Sequence, residues 1–105
     1  MPDAHAALTA LDAAREIRER RLGCVDYTAA LLKVIDEREP EVQAWEYLDR
    51  SQALAAARAV DDAIARGDAG GPLLGVPVGI KDIIDVRGMP TGDGTVLHAG
   101  RIASD

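Results

Sequence analysis

The chain has 105 residues, which corresponds to one domain at most. Aromatic residues make up 3% of it and phenylalanine is absent, which excludes the rich aromatic stacking surface of single-strand nucleic-acid binders. The formal net charge is −6, which argues against electrostatic binding to nucleic-acid phosphates or anionic membranes. We therefore expect neither nucleic acid nor a membrane as a partner.

Cys24 is the single cysteine, which excludes an internal disulfide and a cysteine-based zinc site. A lone thiol fits a reducing compartment. No signal peptide or transmembrane span is readable, so we expect the protein in the cytoplasm. His5 and His98 have no partner at metal-ligand spacing, and we expect neither a metal nor another cofactor.

The first predicted helix lies within residues 4–21, with Asp3 or Thr9 as its N-cap and Gly23 as the residue that stops it. Apolar residues recur every three positions and predict its buried stripe: Leu8, Leu11, Ala14 and Ile17.

Two further helices are predicted. One runs from about residue 27 to 38, with Asp26 as its N-cap and Pro40 closing it. The other covers about residues 51–66, because this segment is rich in alanine and Gly67 stands at the C′ position.

Composition changes near Gly67, since all glycines but Gly23 lie from there onward. We predict a helical section over 1–70 and a strand and loop section over 71–105, which together indicate the α/β class. A short strand is predicted over 42–48 and a short buried strand over 76–80, where Pro77 points to a sheet edge. A turn is predicted at Gly70-Gly71-Pro72.

Lys81 is the residue with the most chemical interest. It is one of two lysines, with Lys33, and it ends the apolar strand predicted over 76–80. A lysine carried into apolar surroundings loses hydration, which favours its neutral amine, and a neutral amine can take a proton from a nucleophile. The alternative is that Lys81 reaches water or pairs with Asp82 or Asp85, as most lysines are solvated.

Residues 71–95 read GPLLGVPVGIKDIIDVRGMPTGDGT. This stretch resembles the amidase signature family, in which Gly-Pro-Leu is followed by Gly-Val/Ile-Pro-Val/Ile, Lys-Asp, Ile-Asp-Val, a glycine and Pro-Thr. More than a dozen positions agree in order and spacing. The resemblance covers roughly residues 25–105 and is strongest over 71–90.

The resemblance implies an α/β hydrolase with a mixed sheet, of which this chain holds the N-terminal helices and the first strand or strands. Such enzymes hydrolyse or transfer amides with a Ser–cis-Ser–Lys triad, and the Lys-Asp motif assigns the lysine role to Lys81. That lysine deprotonates the bridging serine, which activates the nucleophilic serine, while backbone N–H groups hold the oxyanion. By the same comparison Asp82, Asp85 and Thr91 are structural.

Two departures from the family pattern stand out. Residues 92–95 read Gly-Asp-Gly-Thr where the family often has Thr-Ala-Gly-Ser. The glycine- and serine-rich signature that carries both catalytic serines would lie downstream of these residues. We therefore expect a front fragment of an amidase that is inactive alone.

Three functions remain open at this point. The first is an amidase acting on a small-molecule amide, with a homo-oligomer as one assembly. The second is a protein like the A subunit of the glutamyl-tRNA(Gln)/aspartyl-tRNA(Asn) amidotransferase. The third is a non-catalytic helical module that binds a partner. Continuation of the reading frame into a Gly/Ser-rich tract favours the first two.

Overall fold

The computed structural model describes residues 4–68, 70–98 and 100–104. These residues form three α-helices, which we label in chain order: α1 (Ala10–Arg18), α2 (Cys24–Val42) and α3 (Arg50–Ala65). Short 3-10 helices lie at Ala4–Ala7 and Val96–His98.

The chain divides into two compact units, each of which is described by itself. The first comprises Met1–Gln43 and Asp49–Pro77, and it holds the three α-helices. The second comprises Ala44–Leu48 and Val78–Asp105.

Helix α1 is capped as the sequence predicts at one of two candidate positions. The Thr9 hydroxyl accepts the Asp12 N–H at 3.1 Å, whereas Asp3 lies outside the described residues. The helix buries Ala13, Ala14 and Ile17, while Leu11 is 65% exposed. The predicted stripe is therefore only partly correct, because Ala13 is buried and Leu11 is exposed.

Helix α1 ends at Arg18, so the prediction that Gly23 stops it was wrong. Arg20 takes a left-handed conformation (φ 61°), and the Arg21 N–H bonds to the Glu16 carbonyl at 2.9 Å. This is the Schellman ending usually made by glycine. Gly23 instead precedes α2 as its N-cap.

Helix α2 is longer than predicted at both ends. Asp26 lies in its first turn rather than at the N-cap, and Pro40 lies inside the helix rather than closing it. A proline removes the bond that its own N–H would donate, yet the Gln43 N–H still reaches the Glu39 carbonyl at 2.9 Å and closes the last turn.

Helix α3 matches its prediction within one residue at each end. Asp49 caps its start by accepting the Gln52 N–H at 2.9 Å. Gly67 follows its end with φ 82°, and the Asp68 N–H bonds to the Ala63 carbonyl at 2.9 Å. The alanine-rich composition and the C′ glycine were therefore reliable signals.

The core of the first unit lies among the three helices and the turn that follows them. Its buried residues are Ala13, Ile17, Leu22, Cys24, Tyr27 and Ala57. Val60 and Ile64 of α3 pack against it, as does Val76. Two of the six buried residues are alanine, so the apolar area that stabilises this unit is small.

The predicted strands over 42–48 and 76–80 are not formed by the described residues. Val42 ends α2 instead, and Val78 and Ile80 are 75% and 49% exposed. A strand is stable only when neighbouring strands pair with its N–H and C=O groups, and the isolated bridges of the described residues involve neither segment. The described residues therefore form the predicted helices but do not show the strands that the α/β class requires.

The second unit is built from turns. The β-bridges among its described residues are isolated ones, between Arg87 and Ala103 and between Pro90 and Ile102. A Cβ atom on Gly79 would lie 3.0 Å from the ring of Trp45, so the indole packs directly on this glycine.

Candidate functional site

Lys81 lies in the second unit at the start of a turn, where its carbonyl accepts the Ile84 N–H at 3.0 Å. Its side chain is exposed. The apolar surroundings that the sequence predicts for it are therefore not supplied by the described residues. Its apolar neighbours in sequence, such as Ile80 and Ile83, are themselves exposed.

The two carboxylates considered as partners of Lys81 bond elsewhere. Asp82 accepts the Gly92 N–H at 2.9 Å, and Asp85 accepts from the Arg101 guanidinium at 3.1 Å. The two side chains of the Lys-Asp dipeptide thus differ in setting, because Lys81 is exposed and the Asp82 carboxylate accepts a backbone N–H.

Asp82 is bonded to the loop at residues 91–95 through both its side chain and its backbone. Besides the Gly92 contact, its carbonyl accepts the Asp93 N–H at 3.0 Å. A Cβ atom on Gly92 would lie 3.0 Å from Asp82 Oδ2, which is tighter than a normal contact. The absence of a Cβ at Gly92 therefore relieves the contact with the carboxylate.

Thr91 anchors that loop in the second unit. It is 1% exposed, and its N–H donates to the Arg101 carbonyl at 2.9 Å. Its hydroxyl is buried and has no hydrogen-bond partner among residues 4–68, 70–98 and 100–104.

Polar and charged side chains form a network on the surface of the second unit. Arg101 contacts Asp85 at 3.1 Å and Asp93 at 3.5 Å, and His98 Nδ1 lies 2.8 Å from Asp93 Oδ2. Exposed ion pairs of this kind stabilise a fold weakly. The network links Asp93, in the loop at residues 91–95, to Arg101 and His98.

The first half of the motif, residues 71–77, belongs to the first unit and is held by two side chains. The Cys24 thiol donates to the Gly75 carbonyl at 3.2 Å, and the Arg18 guanidinium donates to the Pro72 carbonyl at 3.1 Å. Gly75 has φ 88°, and a Cβ there would lie 3.1 Å from the Ile17 side chain. Both its backbone conformation and its packing thus favour glycine.

Cys24 is buried, and burial raises the pKa of its thiol, with the Asp61 carboxylate acting in the same direction. A raised pKa keeps the thiol protonated at neutral pH. Cys24 therefore acts here as a packing and hydrogen-bonding group.

A cavity of about 250 Å³ lies in the first unit. Its lining consists of Arg18, Ile64, Gly67, Asp68, Gly70 and Leu74. Lys81 does not contribute to it, so this cavity is not the lysine site.

Neither a metal centre nor a membrane span is found in the described part of the chain. No group of three histidine, cysteine, aspartate or glutamate side chains there is placed to hold a metal ion. None of the described helices combines the length and apolar character that crossing a bilayer requires.

Sequence reasoning missed Asp61. From α3, its carboxylate accepts the Cys24 N–H at 2.7 Å and the Val25 N–H at 3.0 Å, which are the first backbone donors of α2. Gly23 at the N-cap has no side chain to do this. The available signal was an acidic residue on the otherwise apolar face of α3, next to Val60.

The family model described as Amidase matches residues 26–105. The chain therefore belongs to the Amidase family. No solved structure matches it.

Curated relatives carry two kinds of name. The A subunit of glutamyl-tRNA(Gln) amidotransferase from Acidothermus cellulolyticus is 43% identical over 94 residues, which are 90% of this chain and 19% of that protein. The protein of the same name from Chloroflexus aggregans is 46% identical over 79 residues, 75% of this chain and 16% of that protein. A putative amidase, AmiD, of Mycobacterium bovis is 38% identical over 95 residues, 90% of this chain and 20% of that protein. The chain spans about a fifth of the length of these relatives.

Proposed function

We propose that this chain supplies the lysine-bearing N-terminal part of an enzyme that cleaves carbon–nitrogen bonds in amides, with Lys81 as the base. The observation that carries the proposal is the family match over 26–105, which includes the Lys-Asp motif at Lys81. The proposed substrate is a small-molecule amide, and the proposed location is the cytoplasm.

In the proposed reaction the neutral amine of Lys81 takes a proton from a bridging serine hydroxyl, which takes one from a nucleophilic serine. The serine oxygen bonds to the amide carbon, the C–N bond breaks, and the amine leaves with the proton that had passed to Lys81. Water then attacks the acyl-serine ester, which releases the carboxylic acid and restores the serine hydroxyl. Both serines come from the part of the enzyme that the match to this chain does not cover.

The proposed enzyme also requires that the Lys81 side chain be shielded from water, whereas in the described structure it is exposed. Val78, Ile80, Ile83 and Ile84 stand on both sides of Lys81 in sequence, and all four are exposed. Apolar residues in such numbers favour burial against further protein. We propose that residues 76–80 become a strand of a mixed α/β sheet in the whole enzyme, and that this burial removes water from Lys81.

The test is a chimera in which this chain replaces the matching fifth of AmiD. We expect the chimera to hydrolyse simple amides and Lys81→Met to abolish turnover. Lys33→Met is the matched control, because Lys33 is an exposed lysine on α2 and should be dispensable. Undiminished hydrolysis by Lys81→Met would contradict the proposal.

A second candidate is the A subunit of a glutamyl-tRNA(Gln) amidotransferase. The observation that favours it is that the relatives at 43% and 46% identity carry this name, against 38% for AmiD. A chimera with the Acidothermus protein separates the two candidates. Activity that requires the other components of the amidotransferase supports this candidate, and activity of the AmiD chimera alone supports the small-molecule amidase.

A further inference from the structure

We infer that Asp82 is a positioning residue for Lys81, because it fastens the turn that begins at Lys81 to the backbone of the loop at residues 91–95. The inference rests on the proposed function, since a position for Lys81 matters to turnover only if Lys81 is the base.

The fastening consists of two hydrogen bonds to consecutive backbone N–H groups. Asp82 Oδ1 accepts from Gly92 at 2.9 Å and the Asp82 carbonyl accepts from Asp93 at 3.0 Å. One bond fixes the side-chain torsions of Asp82 and the other fixes its peptide plane. Together they leave the backbone at this residue little freedom to rotate.

The loop that receives Asp82 is itself held in place. Thr91 is buried and bonded through its N–H to the Arg101 carbonyl at 2.9 Å. Gly92 has no Cβ, and a Cβ there would lie 3.0 Å from Asp82 Oδ2, so the carboxylate would have to shift slightly to accommodate another residue. The loop at residues 91–95 is thus held by its own contacts where its N–H groups donate to Asp82.

The consequence for Lys81 follows from its long side chain. Its carbonyl is engaged by the Ile84 N–H at 3.0 Å, and the next residue is fixed by the loop, so the Lys81 backbone is held from its C-terminal side. A base must stand within hydrogen-bond reach of the proton that it removes. A misplacement of about 1 Å can lower turnover by about 100-fold.

The AmiD chimera allows a direct test with three variants. We expect Asp82→Ala to lower kcat by about 10-fold to 100-fold with little change in KM, because it removes the side-chain bond. Asp82→Asn should retain most of kcat, because its amide oxygen can accept the same Gly92 N–H. Asp62→Ala is the control, since it removes an exposed carboxylate of α3 that takes no part in this loop, and it should leave kcat unchanged.

An Asp82→Ala chimera with unchanged kcat overturns the inference. So does an Asp82→Asn chimera that loses as much kcat as Asp82→Ala, because the negative charge rather than the bond to the loop would then matter. If Asp82→Ala fails to fold, Asp82→Ser takes its place, since its hydroxyl stands one bond nearer to the backbone than the carboxylate oxygen and falls short of the Gly92 N–H. We expect it to lower kcat, and an unchanged kcat overturns the inference.

The two proposals fail in different ways. Full activity of Lys81→Met removes the proposed function. An inactive Lys81→Met beside a fully active Asp82→Ala removes only the positioning role. Hydrogen exchange of the Gly92 amide in the 105-residue chain checks the bond separately, and we expect Asp82→Ala to accelerate it while Asp82→Asn does so less.

Discussion

The Asp61 carboxylate of α3 accepts the backbone N–H of Cys24 at 2.7 Å and so takes the place of an N-cap side chain for α2. A negative charge at the start of a helix is also favoured by the helix dipole. This contact joins two residues that are 37 positions apart in sequence, and it places Cys24 where its thiol donates to the Gly75 carbonyl. Cys24 thus connects the helices to the first half of the amidase motif, through its N–H on Asp61 and its thiol on Gly75.

Replacing Asp61 should destabilise the chain. We expect Asp61→Ala to lower the free energy of unfolding by about 1–2 kcal/mol, because two backbone N–H groups of α2 lose their acceptor. Asp61→Asn should cost less, since one oxygen remains. The measurement is urea unfolding followed by circular dichroism, with Asp62→Ala, an exposed neighbour, as the control. Equal midpoints for Asp61→Ala and Asp62→Ala would refute the capping role.

The ends of α1 and α3 make the same Schellman turn with different residues at the left-handed position, Arg20 in one and Gly67 in the other. Arginine is strained there and glycine is not. We expect Arg20→Gly to stabilise the chain by about 1 kcal/mol and Gly67→Ala to destabilise it by about the same amount. Thermal melts of both variants check this, and a lower melting temperature for Arg20→Gly would contradict it.

Gly75 should tolerate substitution poorly. Its φ of 88° disfavours any side chain, and a Cβ would lie 3.1 Å from Ile17. We expect Gly75→Ala to destabilise the chain by about 2 kcal/mol. Gly71→Ala is the matched control, because a Cβ there meets nothing within 4 Å and its φ is not positive, and it should be close to neutral. Unfolding midpoints in urea distinguish the two, and a neutral Gly75→Ala would show that the turn can relax.

Stability should fall at alkaline pH through two buried groups of the first unit. Burial raises the pKa of Cys24 above its ordinary 9.0 and that of Tyr27 above its ordinary 10.0. A group whose pKa is higher in the folded state stabilises the fold fully below its unfolded pKa and loses this contribution as pH rises through the folded value. We therefore expect the melting temperature to decline from about pH 9 upward.

Cys24→Ala separates the two contributions. This variant should lose the part of the decline that begins near pH 9 and keep the part that Tyr27 causes above pH 10. In the unmodified chain, thiol alkylation should be slow at about pH 8 and become fast when the chain is unfolded by urea. Rapid alkylation of the folded chain at that pH would show that Cys24 is accessible as a thiolate.

The elements that sequence predicted well are those fixed by local signals. Helix α3 carries its own cap at Asp49 and its own C′ glycine, so its bounds could be read directly. The start of helix α2 could not be read in this way, because the side chain that caps it is Asp61 of α3. The local sequence around residue 24 does not reveal a contact with a residue so far along the chain. Helix α1 ended early because Arg20 adopted a conformation that its residue type disfavours.

The candidate site was found through motif likeness rather than through periodicity. The Lys-Asp motif marked Lys81, but the apolar run before it predicted a buried strand that the described residues do not form. A strand forms only when other strands pair with it, so the sequence of one segment indicates a preference for strand conformation but does not decide whether the strand forms. The bond between Asp82 and Gly92 also lay beyond sequence reasoning, since nothing local pairs residues ten positions apart.

Trp45 is the single tryptophan of the chain, and its ring rests on Gly79, two positions before Lys81. Indole fluorescence is therefore an intrinsic optical reporter placed beside the proposed base. A change in its emission maximum on adding the remaining portion of a relative would register rearrangement of this segment in real time, without any label.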